Sequence, residues 1–452
     1  MMFFFRLFAV YTGLKSETNH SLSFMQRCKI KSSILVLLAA ITGLNASMAQ
    51  KAVNYDEAKV PAYILPALLQ TTAGTPVTSI AQWEKQRRPE LLQLFATKMY
   101  GLTPPEKIGV TYKLLQEDKN ALAGKATSRQ VRLTFSNGKK QIEALLLLYL
   151  PNGVTGKVPV FIGYNFKGNH SLTTDTSIRY SYNFPLVRKP DHPDWQRGSQ
   201  SGRWPIETII SSGYALATMC YHDIFPDAPG LKDHSIVSLF ADYNKGPQRP
   251  DEWQAIGAWA WGSSRIADYL ETVKEIDPRA MIIMGHSRQG KAALWAGAQD
   301  KRFRIVISND SGAGGAALSK RTFGETIDIV SNIKPAWFCP AFDQFKNNEQ
   351  QLPFDQHELI ALMAPRPVYV ASAQEDLWAD PKGEYLAAYF AGPAYTLYGL
   401  KGLPSKEPPP VNQPVMYDVG YHIRTGKHDV TDFDWTSYIR FADMHLKGNP
   451  TH

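Results

Sequence analysis

The segment that most constrains the fold runs from residue 281 to residue 297 and reads MIIMGHSRQGKAALWAG. A short apolar strand leads into Gly285 and Ser287, and a helix of small residues follows. A serine at the apex of a tight turn between a strand and a helix is the nucleophile elbow of the α/β-hydrolase fold. Glycines are needed there because the strand and the helix pass too close together to leave room for side chains. The second glycine, Gly290, comes one residue later than in the usual G-x-S-x-G pattern.

The patterns on either side of the elbow predict the rest of an α/β-hydrolase fold. Two β-rich stretches, 128–135 and 141–150, flank the turn sequence 136–138, which predicts an N-terminal antiparallel hairpin. Short apolar stretches then alternate with helical patterns, which predicts a mostly parallel central sheet with helices on both faces. The proline-rich stretch 401–414 is predicted to be a surface loop. The predicted parallel strands are 158–164, 215–220, 281–284, 304–308 and 368–373, and the predicted helices are 83–100, 205–212, 253–273, 291–299 and 435–446.

The first 49 residues are predicted to be a leader that is not part of the fold. Met25 is the expected start of a signal peptide, in which basic residues precede an apolar stretch at 34–44 and small residues place the cleavage after Ala49. The apolar stretch is about 11 residues long, which is too short to span a bilayer. We therefore expect an exported protein, periplasmic or secreted, without stable membrane insertion. Residues 50–452 are expected to form a single catalytic domain, since α/β hydrolases often run long as one domain.

Charge and cysteine content narrow the possible partners. The net charge of +8 falls to about +4 when residues 1–49 are removed, by the count of charged side chains. There is no basic cluster interleaved with aromatic residues, so nucleic acid is not an expected partner. After cleavage two cysteines remain, Cys220 and Cys339, and they are equally compatible with a disulfide and with two buried thiols. No cysteine–histidine cluster has the spacing of a structural zinc site.

A serine nucleophile needs a histidine to accept its proton and a carboxylate to hold that histidine in the correct tautomer. In this fold the chain order is serine, acid, histidine. Asp376 follows the predicted strand 368–373, which is where the fold usually supplies its acid. Asp380, four residues later, and Asp310, after the preceding strand, are alternatives. Each of the three could instead cap a turn or a helix, which is a common role for loop carboxylates.

For the base, the preferred histidine is His428. It lies in the polar, glycine-containing loop TGKHD ahead of the last predicted helix, which is where this fold places its histidine. His422, His357 and His445 are the competing candidates, and a lone histidine is more often structural than catalytic. Chain order and loop placement favour His428.

Two cations follow the nucleophile closely. The backbone N–H after the nucleophile is an oxyanion donor in this fold, and the Arg288 guanidinium at that position could stabilise the tetrahedral intermediate, an effect of ~10²–10³ in rate. Lys291 lies one helical turn after Ser287, hence on the same face, where it could reach a polar substrate. The alternatives are a surface ion pair for Arg288 and a solvated helix side chain for Lys291. A second oxyanion donor is expected in residues 165–170, after the strand 158–164.

The elbow sequence GHSRQGKAA resembles that of the glucuronoyl esterases, carbohydrate esterase family fifteen, in which the elbow reads G-C-S-R-x-G-K. Further motifs agree with that family in the same order, so the resemblance covers roughly residues 85–447. These motifs are IGAWAWG at 256–262, SGAGGAA at 311–317, WF at 337–338, LPFDQH at 352–357 and APRP at 364–367. The resemblance implies a serine carboxylesterase of the α/β-hydrolase superfamily.

The resemblance also implies a substrate and roles for particular side chains. The substrate would be an ester between (4-O-methyl-)glucuronic acid on xylan and a lignin alcohol, cleaved through an acyl-enzyme. The implied roles are nucleophile for Ser287, oxyanion hole for Arg288, base for His428 and substrate contact for Lys291, Glu325 and Trp378.

The chain departs from the family pattern at two positions. His286 stands in place of the elbow cysteine, which removes one disulfide of the fungal members. The usual acid of the family is a glutamate before S-G-A-G-G, and this chain has Asp310 there, one methylene shorter. Some bacterial members carry the acid after the later strand, as in the general fold, which favours Asp376.

Three functional hypotheses follow. The first is a secreted serine esterase, expected as a monomer, which acts on glucuronoxylan or lignin–carbohydrate esters and needs no metal or organic cofactor. The second is an acetylxylan esterase or another carbohydrate esterase, because one fold supports many substrates. The third is a non-catalytic carbohydrate-binding protein that kept the shell of an esterase. The intact Ser287, Arg288, Lys291 and His428 argue against this third hypothesis.

Overall fold

The computed structural model describes residues 53–189, 192–240 and 246–447. The predicted leader, its start at Met25 and its cleavage site after Ala49 lie outside these described residues. From Val53 onward the chain forms one compact unit. The extent of the catalytic domain, 50–452, stays a prediction.

The centre of the protein is a ten-stranded β-sheet. In chain order its strands are β1 (Gly109–Ala121), β2 (Ala126–Ser136), β3 (Gln141–Pro151), β4 (Val158–Asn165), β5 (Ala215–Cys220), β6 (Ile276–His286), β7 (Phe303–Asn309), β8 (Val368–Ala373), β9 (Val415–Met416) and β10 (Val419–Arg424). Across the sheet their order is β1-β2-β3-β5-β4-β6-β7-β8-β10-β9. Strands β5, β4, β6, β7, β8 and β10 run parallel, and antiparallel strands complete both ends. The predicted fold class is therefore confirmed.

Helices surround this sheet. In chain order the α-helices are α1 (Ile80–Gln82), α2 (Arg88–Phe95), α3 (Phe184–Val187), α4 (Ile206–Ser211), α5 (Ala255–Glu271), α6 (Arg288–Gln299), α7 (Ile327–Ile333), α8 (Gln356–Ala361), α9 (Pro381–Phe390), α10 (Gly392–Thr396) and α11 (Asp432–Leu446). Short π-helical turns at Trp83–Arg87 and Ala96–Tyr100 extend α1 and α2. None of the helices within the described ranges is long and apolar enough to cross a membrane.

The sheet separates two hydrophobic cores because side chains alternate between its faces. In β4, Val160 and Ile162 belong to the larger core, which also receives α5 and α6, whereas Phe161 belongs to the smaller core with α4 and α11. Burial on both faces makes β4 continuously apolar, and this explains why it was recognisable in the sequence.

The sequence missed three strands. The predicted hairpin around 136–138 is β2 and β3, but β1 adds a third antiparallel strand. Most side chains of β1 are exposed or half-buried at the sheet edge, so its sequence lacks an apolar run. Strand β10 was missed because it contains the polar residues His422 and Arg424. Both can be buried because Asp434 bonds them, His422 through a hydrogen bond and Arg424 through an ion pair. Strand β9 has only two residues.

Two further expectations concern loops and cysteines. Residues 401–414 contain no helix or strand, which confirms the predicted loop. Cys220 and Cys339 are both buried and free, so of the two alternatives the structure has the thiols. Burial raises the pKa of Cys339 to about 11, so this thiol stays protonated at neutral pH.

Candidate active site

Ser287 lies at the turn from β6 into α6 and has the strained backbone of a nucleophile elbow, with φ 57° and ψ −130°. Its backbone N–H donates to the Asn309 carbonyl oxygen at 2.8 Å, and its own carbonyl accepts from Gly290 N at 2.8 Å. A Cβ on Gly285 would lie 1.9 Å from the Gln289 carbonyl oxygen, so only glycine fits there. The turn therefore presents the serine as the sequence predicted.

The structure explains why the second glycine of the elbow, Gly290, comes one residue later than usual. A Cβ on Gly290 would lie 2.8 Å from the Ser311 Cβ, in the loop that follows β7. Helix α6 thus approaches the S-G-A-G-G loop closely, and Gly290 is required by that contact between two motifs of the sequence.

Ser287 faces a pocket of about 410 Å³. The candidate site residues from the sequence that line it are Ser287, Arg288, Lys291, Glu325, Asp376, Trp378 and His428, together with Asp310, the alternative acid. Ile333, Lys334 and Trp337 also line the pocket and were not predicted. They come from the end of helix α7 and the turn after it. Trp337 belongs to the WF motif at 337–338, but that motif assigned it no role, and no motif distinguishes Ile333 or Lys334.

His428 and Asp376 form a close pair in this pocket. Nδ1 of His428 lies 2.6 Å from Oδ2 of Asp376, and the Asp376 side chain is only 5% exposed. A buried carboxylate on Nδ1 fixes the imidazole tautomer and leaves Nε2 available to a reacting group. Among the described residues no hydrogen bond joins Ser287 to His428. Catalytic hydrogen bonds are often long without substrate and tighten in the complex.

Asp310, the alternative acid, has different bonding partners from Asp376. Its Oδ1 accepts from Ala373 N at 2.7 Å, while its Oδ2 has no hydrogen-bond partner in the described chain and lies 3.6 Å from Arg424. Burial raises the pKa of Asp310 well above its ordinary value. Asp310 therefore lies near His428 without being bonded to it, whereas Asp376 is bonded.

The side chains of Asp310, Asp376 and His428 have ligand atoms within 4.8 Å of one another, which is a spacing that a metal ion could use. Two contacts oppose that use. Nδ1 of His428 and Oδ2 of Asp376 are already hydrogen-bonded to each other, so neither atom is free to bind a metal ion. The Arg424 guanidinium beside Asp310 also places a positive charge where a cation would bind.

The remaining candidates lie outside the pocket. Asp380 caps α9 through the Gly383 N–H and pairs with Arg321, so it has the structural role that loop carboxylates commonly have. The competing histidines have partners elsewhere, which are Asp434 for His422, the Pro66 carbonyl for His357 and the Tyr417 carbonyl for His445.

Arg288 forms an ion pair with Asp227, a residue that the sequence did not point to. Oδ1 of Asp227 accepts from Trp337 Nε1 at 3.0 Å, and its Oδ2 accepts from Lys334 Nζ at 3.2 Å. Burial by itself raises the pKa of Asp227, but Arg288 and Lys334 lower it below the ordinary value. Arg288 is thus held beside Ser287 by a carboxylate whose side chain is only 8% exposed. The ion pair considered from the sequence is present, but it lies in the pocket wall rather than on the open surface.

Lys291 is 3% exposed, so it is not a solvated helix side chain. Its Nζ donates to the carbonyl oxygens of Ser311 and Ala313, each at 2.6 Å, and to Glu325 Oε2 at 3.0 Å. The Glu325 N–H in turn donates to the Trp378 carbonyl at 2.8 Å. Lys291 therefore fixes the Glu325 carboxylate beside Trp378, whose ring is partly exposed to the pocket.

His286, the residue in place of the elbow cysteine, packs under the site. Its ring centroid is 4.4 Å from that of His428, and its Nδ1 lies 2.5 Å from Asn309 Oδ1. Burial lowers the pKa of His286 well below its ordinary value, so its ring is neutral at neutral pH. A neutral ring supports His428 without adding a charge next to it.

The segment 165–170 packs beside the pocket. Its Phe166 ring contacts the rings of Tyr221 and His286. Asn165 Nδ2 donates to Asn169 Oδ1 at 2.7 Å. The second oxyanion donor expected in this segment stays a prediction.

The fold and this pocket define the class of protein as an α/β hydrolase with a serine at its elbow. Comparisons with known proteins agree. A family model described as "Glucuronyl esterase, fungi" matches residues 247–399. The curated protein "Carbohydrate esterase MZ0003", from an unknown prokaryotic organism, is 44% identical over 87% of this chain and 92% of its own length. A 4-O-methyl-glucuronoyl methylesterase of Schizophyllum commune is 27% identical over 74% of each chain.

Comparisons with solved structures indicate the same group of esterases. A glucuronoyl esterase from Solibacter usitatus superposes with a TM-score of 0.80 at 42% identity, over 86% of this chain and 100% of its own. A promiscuous CE15 esterase from a marine bacterial metagenome gives a TM-score of 0.79 at 43% identity, over 87% and 100%. The chain belongs to carbohydrate esterase family 15, the glucuronoyl esterases.

Proposed function

We propose that the protein hydrolyses esters of (4-O-methyl-)glucuronic acid, as they occur between xylan and lignin alcohols, through an acyl-enzyme on Ser287. One observation carries this proposal: the pocket in front of Ser287 combines the His428–Asp376 pair with the Lys291–Glu325 pair. The first pair suits acyl transfer, and the second presents polar groups to a hydroxylated acid.

The proposed reaction begins when Ser287 Oγ attacks the ester carbonyl and its proton passes to Nε2 of His428. Asp376 holds the ring through Nδ1 and stabilises the imidazolium. The oxyanion forms beside the backbone N–H and the guanidinium of Arg288. The imidazolium then protonates the leaving alcohol. A water, deprotonated by His428, attacks the acyl carbonyl, and the imidazolium returns the proton to Ser287 Oγ as the bond to the uronic acid breaks.

The acid part of the substrate is proposed to lie over Lys291, Glu325 and Trp378. The Glu325 carboxylate accepts hydrogen bonds from sugar hydroxyls, and the partly exposed Trp378 ring offers an apolar face to the pyranose. Lys334, also at this pocket, adds a cation near a substrate that becomes a carboxylate on hydrolysis.

Export, processing and assembly belong to the same proposal. We propose that cleavage after Ala49 releases a single catalytic domain, 50–452, into the periplasm or the medium, where it acts as a monomer on glucuronoxylan or lignin–carbohydrate esters. The curated relatives named for glucuronoyl ester hydrolysis support the carbohydrate ester as substrate.

The proposed function predicts a strong preference for uronoyl esters. The kcat/KM for a benzyl glucuronate ester is expected to exceed that for an acetylated sugar by ~10²-fold or more, because only the uronoyl substrate places hydroxyls against Glu325 and Lys291. Steady-state hydrolysis of both esters measures the ratio. Faster release of acetate would instead favour a general carbohydrate esterase, which is the second candidate because one structural relative is described as promiscuous.

Replacing Lys291 by alanine is expected to raise KM for the glucuronate ester while sparing a small generic ester. The lysine holds Glu325 in the pocket, so its loss loosens the contacts to the sugar and leaves the nucleophile in place. The measurement is KM and kcat on 4-nitrophenyl acetate and on the benzyl glucuronate ester. Equal losses on both esters would show that Lys291 supports the elbow itself.

A further inference from the structure

Arg424, the last residue of β10, lies buried beneath the loop that carries His428. One terminal nitrogen of its guanidinium donates to the carbonyl oxygens of Thr425 and Lys427, each at 3.1 Å. The other terminal nitrogen donates to the Asp429 carbonyl oxygen at 2.5 Å. Lys427 and Asp429 are the chain neighbours of His428, so one guanidinium binds the backbone on both sides of the histidine.

Asp434 fixes the orientation of this guanidinium. Nε of Arg424 donates to Asp434 Oδ2 at 2.7 Å, and Asp434 is fully buried in the first turn of α11. The same oxygen accepts from Thr431 N at 2.7 Å, and the other carboxylate oxygen lies 2.9 Å from His422 Nε2. Because Asp434 is held by so many donors, Arg424 has little freedom to rotate away.

The backbone that carries Asp376 is bonded to the same loop. Gln374 N donates to the Arg424 carbonyl at 2.8 Å, and Glu375 N donates to the Gly426 carbonyl at 3.0 Å. The two members of the His428–Asp376 pair therefore come from segments that are both tied to Arg424 and its loop. A shift of this loop would change the distance between imidazole and carboxylate.

Only an arginine can make this set of contacts at once. A guanidinium carries five N–H donors in a rigid plane, and here it serves three carbonyls and one carboxylate. A lysine ammonium has three donors at a single point and cannot reach acceptors on both sides of the loop. The side chain therefore contributes geometry beyond its charge.

We propose that Arg424 is a positioning residue that holds the His428 loop in register with Asp376 and Ser287. The inference rests on the proposed role of His428 as the base. Arg424 itself reaches neither the substrate nor the reacting atoms. Besides the loop it faces the Asp310 carboxylate, 3.6 Å away, and a lysine at 424 keeps a positive charge near that carboxylate while removing the bonds to the loop.

The test is Arg424→Lys, with Arg366→Lys as the matched control. Arg366 is also buried, and it donates to the carbonyls of Gly297, Asp300 and Phe303, away from the pocket. In Arg424→Lys, kcat on a benzyl glucuronate ester is expected to fall ~10²-fold with KM unchanged, since a displacement of about 1 Å at a catalytic group costs that much. Arg366→Lys is expected to keep both constants, although its Tm falls.

Two outcomes would overturn the inference: a wild-type kcat in Arg424→Lys, or a rise in KM without loss of kcat. If Arg424→Lys does not fold, Gly426→Ala keeps the arginine but strains the same loop at φ 100° and adds a Cβ 3.4 Å from Nη1 of Arg424. The same loss of kcat is expected there, and a wild-type kcat would count against the inference.

The proposed substrate and the positioning role of Arg424 can be tested separately. The rate at which a fluorophosphonate labels Ser287 depends on His428 but on no sugar contact. That rate is expected to fall in Arg424→Lys and not in Arg366→Lys, even for a chain that proves inactive on glucuronate esters. Equal labelling rates in both variants would reject the positioning role whatever the substrate is.

Discussion

Ser287→Ala is expected to lower kcat on a benzyl glucuronate ester by about 10⁶-fold. Without the hydroxyl no acyl-enzyme forms, and what remains is the stabilisation of charge by the Arg288 region and the binding of substrate. The loss is large because serine and histidine act as one unit. Steady-state turnover measures it, and labelling by a fluorophosphonate should disappear in the same variant.

Ser311→Ala is the matched control for that experiment. Ser311 also lines the pocket, but its hydroxyl is buried and bonded to Ser308 Oγ at 2.8 Å and to Ala316 N at 2.8 Å. Its replacement should leave fluorophosphonate labelling intact. Persistent labelling of Ser287→Ala would mean that another residue is the nucleophile, and an unlabelled wild type would favour the non-catalytic carbohydrate-binding protein.

Asp376→Asn is expected to lower kcat by ~10²–10⁴-fold, the scale seen when a triad loses the carboxylate that fixes its histidine tautomer. An amide at 376 cannot stabilise an imidazolium as a carboxylate does. If its NH₂ faces Nδ1, it favours the tautomer whose proton sits on Nε2, where Ser287 needs an acceptor. Turnover of a benzyl glucuronate ester by wild type and variant gives the ratio. His428→Ala should be at least as damaging.

Asp310→Asn is the control because it changes a second carboxylate at the same site. Asp310 lies within 4.8 Å of the same ring without a hydrogen bond to it, so a smaller loss of kcat is expected. A larger loss than in Asp376→Asn would transfer the acid role to Asp310. That result would place the acid at the position that the resemblance implies for the family glutamate.

Parts of the site could be predicted because they lie close together in the chain. The elbow lies within residues 281–297, and its glycines, serine and following cations are close together in the sequence. Local backbone geometry requires those residue types there, so their meaning does not depend on distant parts of the chain. His428 was predicted differently, from the chain order of the fold and its place in a polar loop, because it lies far from the elbow in the sequence.

Other contacts of the site join residues that are far apart in the chain, so they could not be predicted from sequence. Asp227 is separated from Arg288 by 61 positions and from Trp337 by 110, and no motif surrounds it. The sequence favoured Asp376 over Asp310 from its place after the later strand, but it left Asp310 open because both follow parallel strands that end at the same edge of the sheet. Which carboxylate meets the histidine is decided by loop paths of a few ångströms.

By itself the sequence determined the fold class, the elbow that carries Ser287 and the family, because turn chemistry, hydrophobic alternation and a run of ordered motifs are local properties. Only the tertiary structure decided that Lys291 is a buried clamp on Glu325, that the cysteines are free thiols and that Asp376 meets His428. Those outcomes depend on burial and on pairing between strands and loops that are distant in sequence. Desolvation makes an unpaired charge costly, and the assembled fold alone brings each charge its partner.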